Sequence, residues 1–461
     1  MEQKKRKFNL DNIHPYSVIL VVLVVAFLLA VFLPSGEFDR VENADGEMIV
    51  VAGSYHSVEK ETPTIFSVLK NVQLGYIDTA QLIFFIIIAY AFVFMATKNG
   101  TMNAALSAVA RKLGKRTYIF IPISVLLFGL LGSTAGLYEE VYGLIPVFIG
   151  MAVMMGYDAV VGGAIVFVGV ATGFAAAITN PFTIGIAQSV AKVPLYSGMG
   201  FRICVFVIFE IAVISYIMWY ANKVKKDPKK SVIHGLSIGL AEKFESTDQP
   251  MTGVQKITLI ICITVIVMTV VGTLKFGWYI DELAALFLGG FFLIGFISRY
   301  GTGQIMDIFI EGAKEILFGI MTIGFIRGAV ITLEDAAVLD TITQGLSVFL
   351  VGGSKYITGL GMLFSQNLIN LFITGGPAQA MATMPIMSPL CDLADVNRQL
   401  AVVGFQFGDG FSNMFWPTGV AIECGIMGIP MIRWYKFMAP LFGIMVVLQC
   451  ILMVVAVNIY G

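Results

Sequence analysis

The sequence predicts an all-α polytopic membrane protein with inverted repeats, two re-entrant hairpins and two broken transmembrane helices. Three observations predict it. Of 461 residues, 57% are hydrophobic and 13% charged, and the apolar residues gather in runs near the ~20 residues that span a bilayer. Several runs are interrupted at mid-length by Asn, Pro and Gly, as in "AAAITNPFTIGIAQ" (175–188) and "DGFSNMFWPTGVAI" (409–422). The interruptions recur in the same order in the two halves of the chain.

Composition removes several function classes. The net charge is −1, so no basic footprint for nucleic acid is present. The five Cys are scattered, and His14, His56 and His234 lie outside the apolar runs. Neither a disulfide framework nor a haem or His-ligated metal is expected, and no cofactor is read. No GxxxxGK[ST] loop occurs, so ATP does not drive this chain. No catalytic constellation is read, and the expected partners are the lipid bilayer and a small-molecule substrate.

The elements follow in order. Lys4, Lys5, Arg6 and Lys7 place the N-terminus in the cytoplasm. The apolar run 17–33 is an uncleaved first helix, because it ends in "PSGEFDR" rather than a small-x-small cleavage site. The segment onward to Asp78 is acidic and belongs outside, and its end, "TPTIFSVLKNVQLGYIDTA", is amphipathic and interfacial. Helix two (80–97) returns to a basic cytoplasmic surface helix ending "LGKR". The stretch 117–158 has two apolar arms around a polar tip, Gly132 to Glu140, and reads as a hairpin that enters and leaves from one side. The first broken helix and a helix ending in "NKVKKDPKK" complete this half. The polar segment 223–256 reads as a mobile cytoplasmic linker. Helices near 257–274 and 277–298 separate the halves. The second half repeats the order: an amphipathic segment, a span, an external arm with Glu334, Asp335 and Asp340, a second hairpin with its tip near Thr374 to Gln379, a broken helix and a last helix that leaves the C-terminus outside. The expected division is 1–62 (first helix and external segment), 63–222 (transport repeat 1), 223–256 (linker), 257–298 (helix pair) and 299–461 (transport repeat 2).

The separations of Gly136 from Gly376, Asn180 from Asn413 and Pro194 from Pro430 agree to within a few residues, which argues for a true repeat. The first copy begins with an inward helix and the second with an outward one. Inverted repeats with discontinuous helices are the mark of secondary transporters, with substrate held near the midplane. The residues expected there are Ser133, Glu139, Glu140, Thr179 and Asn180 from the first half, and Thr374, Gln379, Ser412 and Asn413 from the second. Half-helix N-termini after Asn180 and Asn413 suit a carboxylate, and the Glu139/Glu140 pair suits a cationic side chain. Asp409, Glu423 and Arg327 are coupling or charge-pair candidates, with Arg327 or Arg398 as the expected partner of either acid. Phe182 and Trp416 flank the breaks, where aromatics line a cavity or simply pack. Glu210 sits in a span without local company.

The frames "YSVILVVLVVAFLLAVFLPSGEFDR", "STAGLYEE" and "ITNPFTIGIAQSVA", with the arm ending "LGKR", resemble the YfcC family over essentially the whole chain. That family is grouped with basic amino-acid antiporters of the ArcD type and, more distantly, with anaerobic four-carbon dicarboxylate carriers of the ion-transporter superfamily. The resemblance implies a plasma-membrane antiporter for cationic amino acids of the arginine/ornithine type, usually a homodimer with elevator-like motion. The alternative it implies is an H+- or Na+-coupled carrier for dicarboxylates or other organic anions. Sodium-dependent members carry Ser-Asn-Thr at both hairpin tips. This chain departs from them with Ser133-Thr134-Ala135 and Thr374-Gly375-Gly376.

Overall fold

The computed structural model describes residues 15–42, 48–51, 53–242, 249–348 and 354–461. The basic cluster Lys4 to Arg6 and Lys7, Asp45 and Glu47 of the external segment, and residues 243–248 of the linker lie outside the described residues.

Helix α1 (Pro15–Phe32) leads into two short antiparallel ribbons. In the first, β1 (Gly36–Glu37) pairs with β4 (His56–Ser57), and in the second β2 (Arg40–Glu42) pairs with β3 (Met48–Val50). The sequence reading had no strands here. The ribbons are tied to the second half: Arg40 is bidentate to the buried Asp340 at 2.9 Å, and the Phe38 N–H donates to the same carboxylate at 3.0 Å.

The first half continues through α2 (Ile65–Asp78), α3 (Ala80–Lys98), α4 (Thr101–Leu113), α5 (Phe120–Leu130), α6 (Ile145–Met154), α7 (Ala159–Ala175), α8 (Ile186–Ala191) and α9 (Met199–Lys226). A single helical turn, α10 (Gly239–Glu242), precedes α11 (Gly253–Phe276) and α12 (Ile280–Ile297). The second half is α13 (Thr302–Asp335), α14 (Leu339–Val348), α15 (Lys355–Asn370), α16 (Gly376–Leu393), α17 (Gln399–Gly410), α18 (Pro417–Met427) and α19 (Met431–Tyr460). Among the described residues six helices are long and apolar enough to cross a membrane, or seven with the bent α13. The short arms α5/α6 and α15/α16 flank the two polar tips, and α7/α8 and α17/α18 are the two broken helices.

One element differs between the halves. The amphipathic segment and the span after it are separate helices in the first half and a single helix, α13, bent by 50°, in the second. The stop in the first half is Thr79, whose N–H and hydroxyl both bond the Gly75 carbonyl and close the turn. The segment 223–256 also differs from a plain linker. Lys223 to Lys226 extend α9, Ser231 donates to Asp158 at 2.6 Å, Arg433 donates to the Val232 carbonyl at 2.9 Å, and Ile233 and Ile238 are buried. Residues 228–242 are therefore docked on α7, α9 and α19. Asp158 also caps α7 through the Val161 N–H and accepts from the Tyr220 hydroxyl.

Helices α2 and α3 pack on α13, α1 packs on α13, and α12 packs on α3. The broken helices occupy the centre: every residue of α7 and of α17 is buried. Small residues let them approach, as membrane helix interfaces require. A Cβ on Gly173 would lie 2.1 Å from the Gly129 carbonyl oxygen, and one on Gly410 would lie 2.2 Å from the Ala175 nitrogen. The ends of α7 and α17 thus touch through bare backbone. Gly410→Val should lower stability by more than about 2 kcal/mol, because backbone must move to admit it. Gly443→Ala, with open space around its Cβ position, should be silent. Melting temperatures of the two purified variants check this, and equal values would refute the close approach.

Candidate functional site

At the first tip the chain leaves α5 through a widened turn, Leu131 to Ala135, and reverses at Gly136 with φ of 72°. A Cβ at Gly136 would sit 2.6 Å from Asn180 Oδ1, so both the left-handed backbone and the space demand glycine here. The tip and the first break satisfy each other. Ser133 Oγ donates to the Ala176 carbonyl at 3.0 Å, and the Ser133 carbonyl accepts from the Ile178 and Thr179 N–H groups at 2.9 and 3.1 Å. Asn180 Nδ2 donates to the Gly132 carbonyl at 3.0 Å, while Asn180 Oδ1 accepts from the Phe182 and Thr183 N–H groups at 2.9 and 3.2 Å. Broken backbone at membrane depth needs such partners. Asn180 is fully committed to holding the tip and capping the restarted helix.

The second half solves the same problem with side chains. Asn370 Nδ2 donates to Gln379 Oε1 and to Asp409 Oδ1, each at 3.0 Å, and Asn370 Oδ1 accepts from Ser412 at 2.7 Å. Gln379 Nε2 donates to Gln366 Oε1 at 2.8 Å, and Gln366 Nε2 donates to Thr383 at 2.8 Å. Asn413 does not cap. Its amide turns back to the Asp409 carbonyl at 3.0 Å. Trp416, at the N-cap of α18, gives no side-chain cap and spends its indole N–H on the Asn367 carbonyl. Helix α16 also starts, after Gly375, without a side-chain cap.

Between the tips lies a cavity of about 790 Å3. Glu139, Glu140 and Asp409 line it as acids, and Tyr138, Tyr142, Phe174, Phe182 and Tyr279 line it as aromatics. The Phe182 and Tyr279 rings stand 6.0 Å apart. The uncapped helix starts Gly375 to Ala378 and Thr418 to Gly419 form another wall. Thr418 is 4% exposed, and its hydroxyl has no partner among the described residues. Toward the mouth lie Glu37, Arg40, Arg327, Glu334 and Asp340. Arg327 is paired with Asp78 and, at 2.9 Å, with Glu334.

The structure thus brings Glu139, Glu140, Thr374, Asp409, Asn413 and Arg327 to one cavity. Ser133, Thr179, Asn180, Gln379, Ser412 and Glu423 stand behind its walls, where all but Thr179 are fully buried. Glu140 accepts from the Tyr138 N–H at 2.8 Å, so it also caps its own turn. The expected partners of Asp409 and Glu423 are engaged elsewhere. Arg327 serves the mouth, and Arg398 grips Asp392 at 2.6 Å, where the guanidinium holds that exposed carboxyl below its ordinary range. Sequence reasoning missed Tyr279, in a turn outside the repeat comparison, and Thr418. It also missed the pair Gln366 and Asn370, whose i,i+4 spacing of amides in an apolar arm was a visible signal.

A family model described as "DcuC: C4-dicarboxylate anaerobic carrier" matches residues 14–458. An uncharacterized protein of Haemophilus influenzae is 28% identical over 510 aligned positions, covering 100% of this chain and 99% of that protein. The Escherichia coli protein named "Putative basic amino acid antiporter YfcC" is 31% identical over 387 positions, covering 81% of this chain and 76% of that protein. Two solved transporters align along nearly the full chain: YdaH of Alcanivorax borkumensis at 13% identity (97% and 99% covered) and MtrF of Neisseria gonorrhoeae at 17% (97% and 96%), each with a TM-score of 0.44.

The two asparagines should behave differently. Asn180→Ala strands the Gly132 carbonyl and two N–H groups and should cost about 2–3 kcal/mol. Asn413→Ala frees one carbonyl and should cost about 1 kcal/mol or less. Thermal unfolding in detergent tests the ranking, and the reverse order would overturn the capping assignment.

Proposed function

The chain belongs to the C4-dicarboxylate anaerobic carrier family, and from that premise we propose that this membrane transporter is an antiporter exchanging cationic amino acids of the arginine/ornithine type. The observation that carries the reading is the charge arrangement of one cavity. Three carboxylates, Glu139, Glu140 and Asp409, line its interior, while the basic residues at its mouth, Arg40 and Arg327, are already ion-paired with Asp340, Asp78 and Glu334. A dianion would meet acids there without a free cation among the described residues. A cationic side chain would meet Glu139 and Glu140 beside aromatic faces, which favour a planar guanidinium. The α-carboxylate would take the uncapped N–H groups at the starts of α16 and α18 and the hydroxyl of Thr418. Of the two breaks, the second binds substrate directly, and the first, with Asn180, holds the acidic tip in place.

A second reading rests on a specific observation: two uncapped helix starts on one wall could receive the two carboxylates of a four-carbon dianion. Under either reading the protein moves its substrate without covalent chemistry. We propose the homodimer and a cytoplasmic N-terminus as its assembly and orientation in the plasma membrane.

Proteoliposomes decide between substrates. Arginine-loaded vesicles should accelerate entry of labelled arginine, ornithine should compete, and succinate should not. Acceleration by internal succinate alone would overturn the cationic reading in favour of the second. Glu139→Gln and Glu140→Gln should each weaken arginine by about tenfold or more, near 1.4 kcal/mol. Unchanged half-saturation in both variants would remove the acidic pair from recognition.

A further inference from the structure

Behind Tyr138, away from the cavity surface, lies a carboxyl that the substrate scheme leaves unused. Glu423, in α18, is 0% exposed. The Tyr138 hydroxyl faces it as a donor, and neither that hydroxyl nor the Glu423 oxygens has any other hydrogen-bond partner among the described residues. The titratable groups that interact with it are Tyr138 and Tyr142 after the first tip, Cys424 on its own helix, and Tyr435 on α19, while α13, which also packs on α18, carries Lys314, Glu315, Arg327 and Glu334. Glu139 and Asp409, which line the cavity, act electrostatically on Tyr138. No basic group acts on Glu423, and Arg327 of α13 is paired with Asp78 and Glu334. An ionised carboxylate in such a place has one neutral hydroxyl beside it and no countercharge, and is too costly to persist. Tyr138 and Tyr142 both line the cavity and feel Glu423 and the cavity acids, and of the two it is Tyr138 whose hydroxyl reaches Glu423.

We propose that Glu423 is a proton-binding site whose proton leaves through Tyr138 to cavity water when a cationic substrate settles against Glu139 and Asp409. This rests on the cationic reading of the cavity. The substrate's positive charge offsets the acids that act on Tyr138, so ionisation of Glu423 becomes tolerable. The proton passes to solvent, and the carboxylate left behind is balanced by the substrate cation. Linkage is reciprocal: protonation of Glu423 must weaken substrate by the same factor by which substrate weakens the proton. Proton and cationic amino acid then oppose each other through neighbouring carboxylates, which is the minimum device for exchanging one against the other.

Two measurements on the purified full chain test this. Infrared spectra without substrate should contain a carbonyl band of a protonated carboxylic acid that Glu423→Gln removes. With a pH dye in weakly buffered micelles, arginine should release protons from the wild type and none from Glu423→Gln. Arginine affinity of the wild type should fall by up to about tenfold per unit of acidification and stay flat in the variant. A band unaltered by the substitution, or equal proton release from both proteins, overturns the proposal. If Glu423→Gln does not fold, Glu423→Asp should shift the band, and a wild type that binds arginine without releasing protons overturns the proposal by itself. A wild type that binds no arginine removes the cationic reading, and the substrate-free band then decides on the proton site alone.

Discussion

The structure depends on one rule of hydrocarbon: a backbone group released from a helix must find another partner. The first break releases such groups between Ala176 and Thr183, and the tip of the first hairpin receives them. Ser133 and Asn180 form that joint, with Gly136 permitting the reversal beside it. The acidic turn Glu139 to Leu144 begins three residues after Gly136. The position of Glu139 and Glu140 over the cavity therefore follows from a bond pattern in which neither glutamate takes the main part.

The two halves obey the same rule by different means, and the difference shapes the chemistry. In the first, backbone meets backbone and Asn180 closes the restarted helix. In the second, the amides of Gln366, Asn370 and Gln379 form the joint, and Asn413 points back along its own helix. The start of α18 is left open as a result. The first half thus brings Glu139 and Glu140 to the cavity, and the second brings open helix starts beside Asp409.

Much of this was legible before any coordinates. The order of spans, tips and breaks followed from apolar run length and from Asn and Pro at matched positions, because both signals are local. The candidate residues at the tips were legible for the same reason. Which of two equivalent asparagines caps and which turns away was not, since Asn180 and Asn413 sit in similar frames and differ in a partner about fifty residues upstream. Tyr279 was invisible because it reaches the cavity from the α11–α12 turn, outside the repeat. The ribbons at Gly36–Ser57 escaped because their register is held by α14, and no short-range pattern in an acidic segment announces a contact so distant in sequence.

That last contact has a consequence for how the protein is made. Arg40 and Phe38 wait for Asp340, which lies 300 and 302 residues later in the chain. At synthesis rates of about 5–20 residues per second, the ribbons emerge on the order of tens of seconds before their anchor exists. During that interval Arg40 lacks the carboxylate it ends on, and the first half must insert with its mouth unfinished. The ion pair between Arg40 and Asp340 is among the longest-range bonds of the molecule, and its closing marks the arrival of the second half.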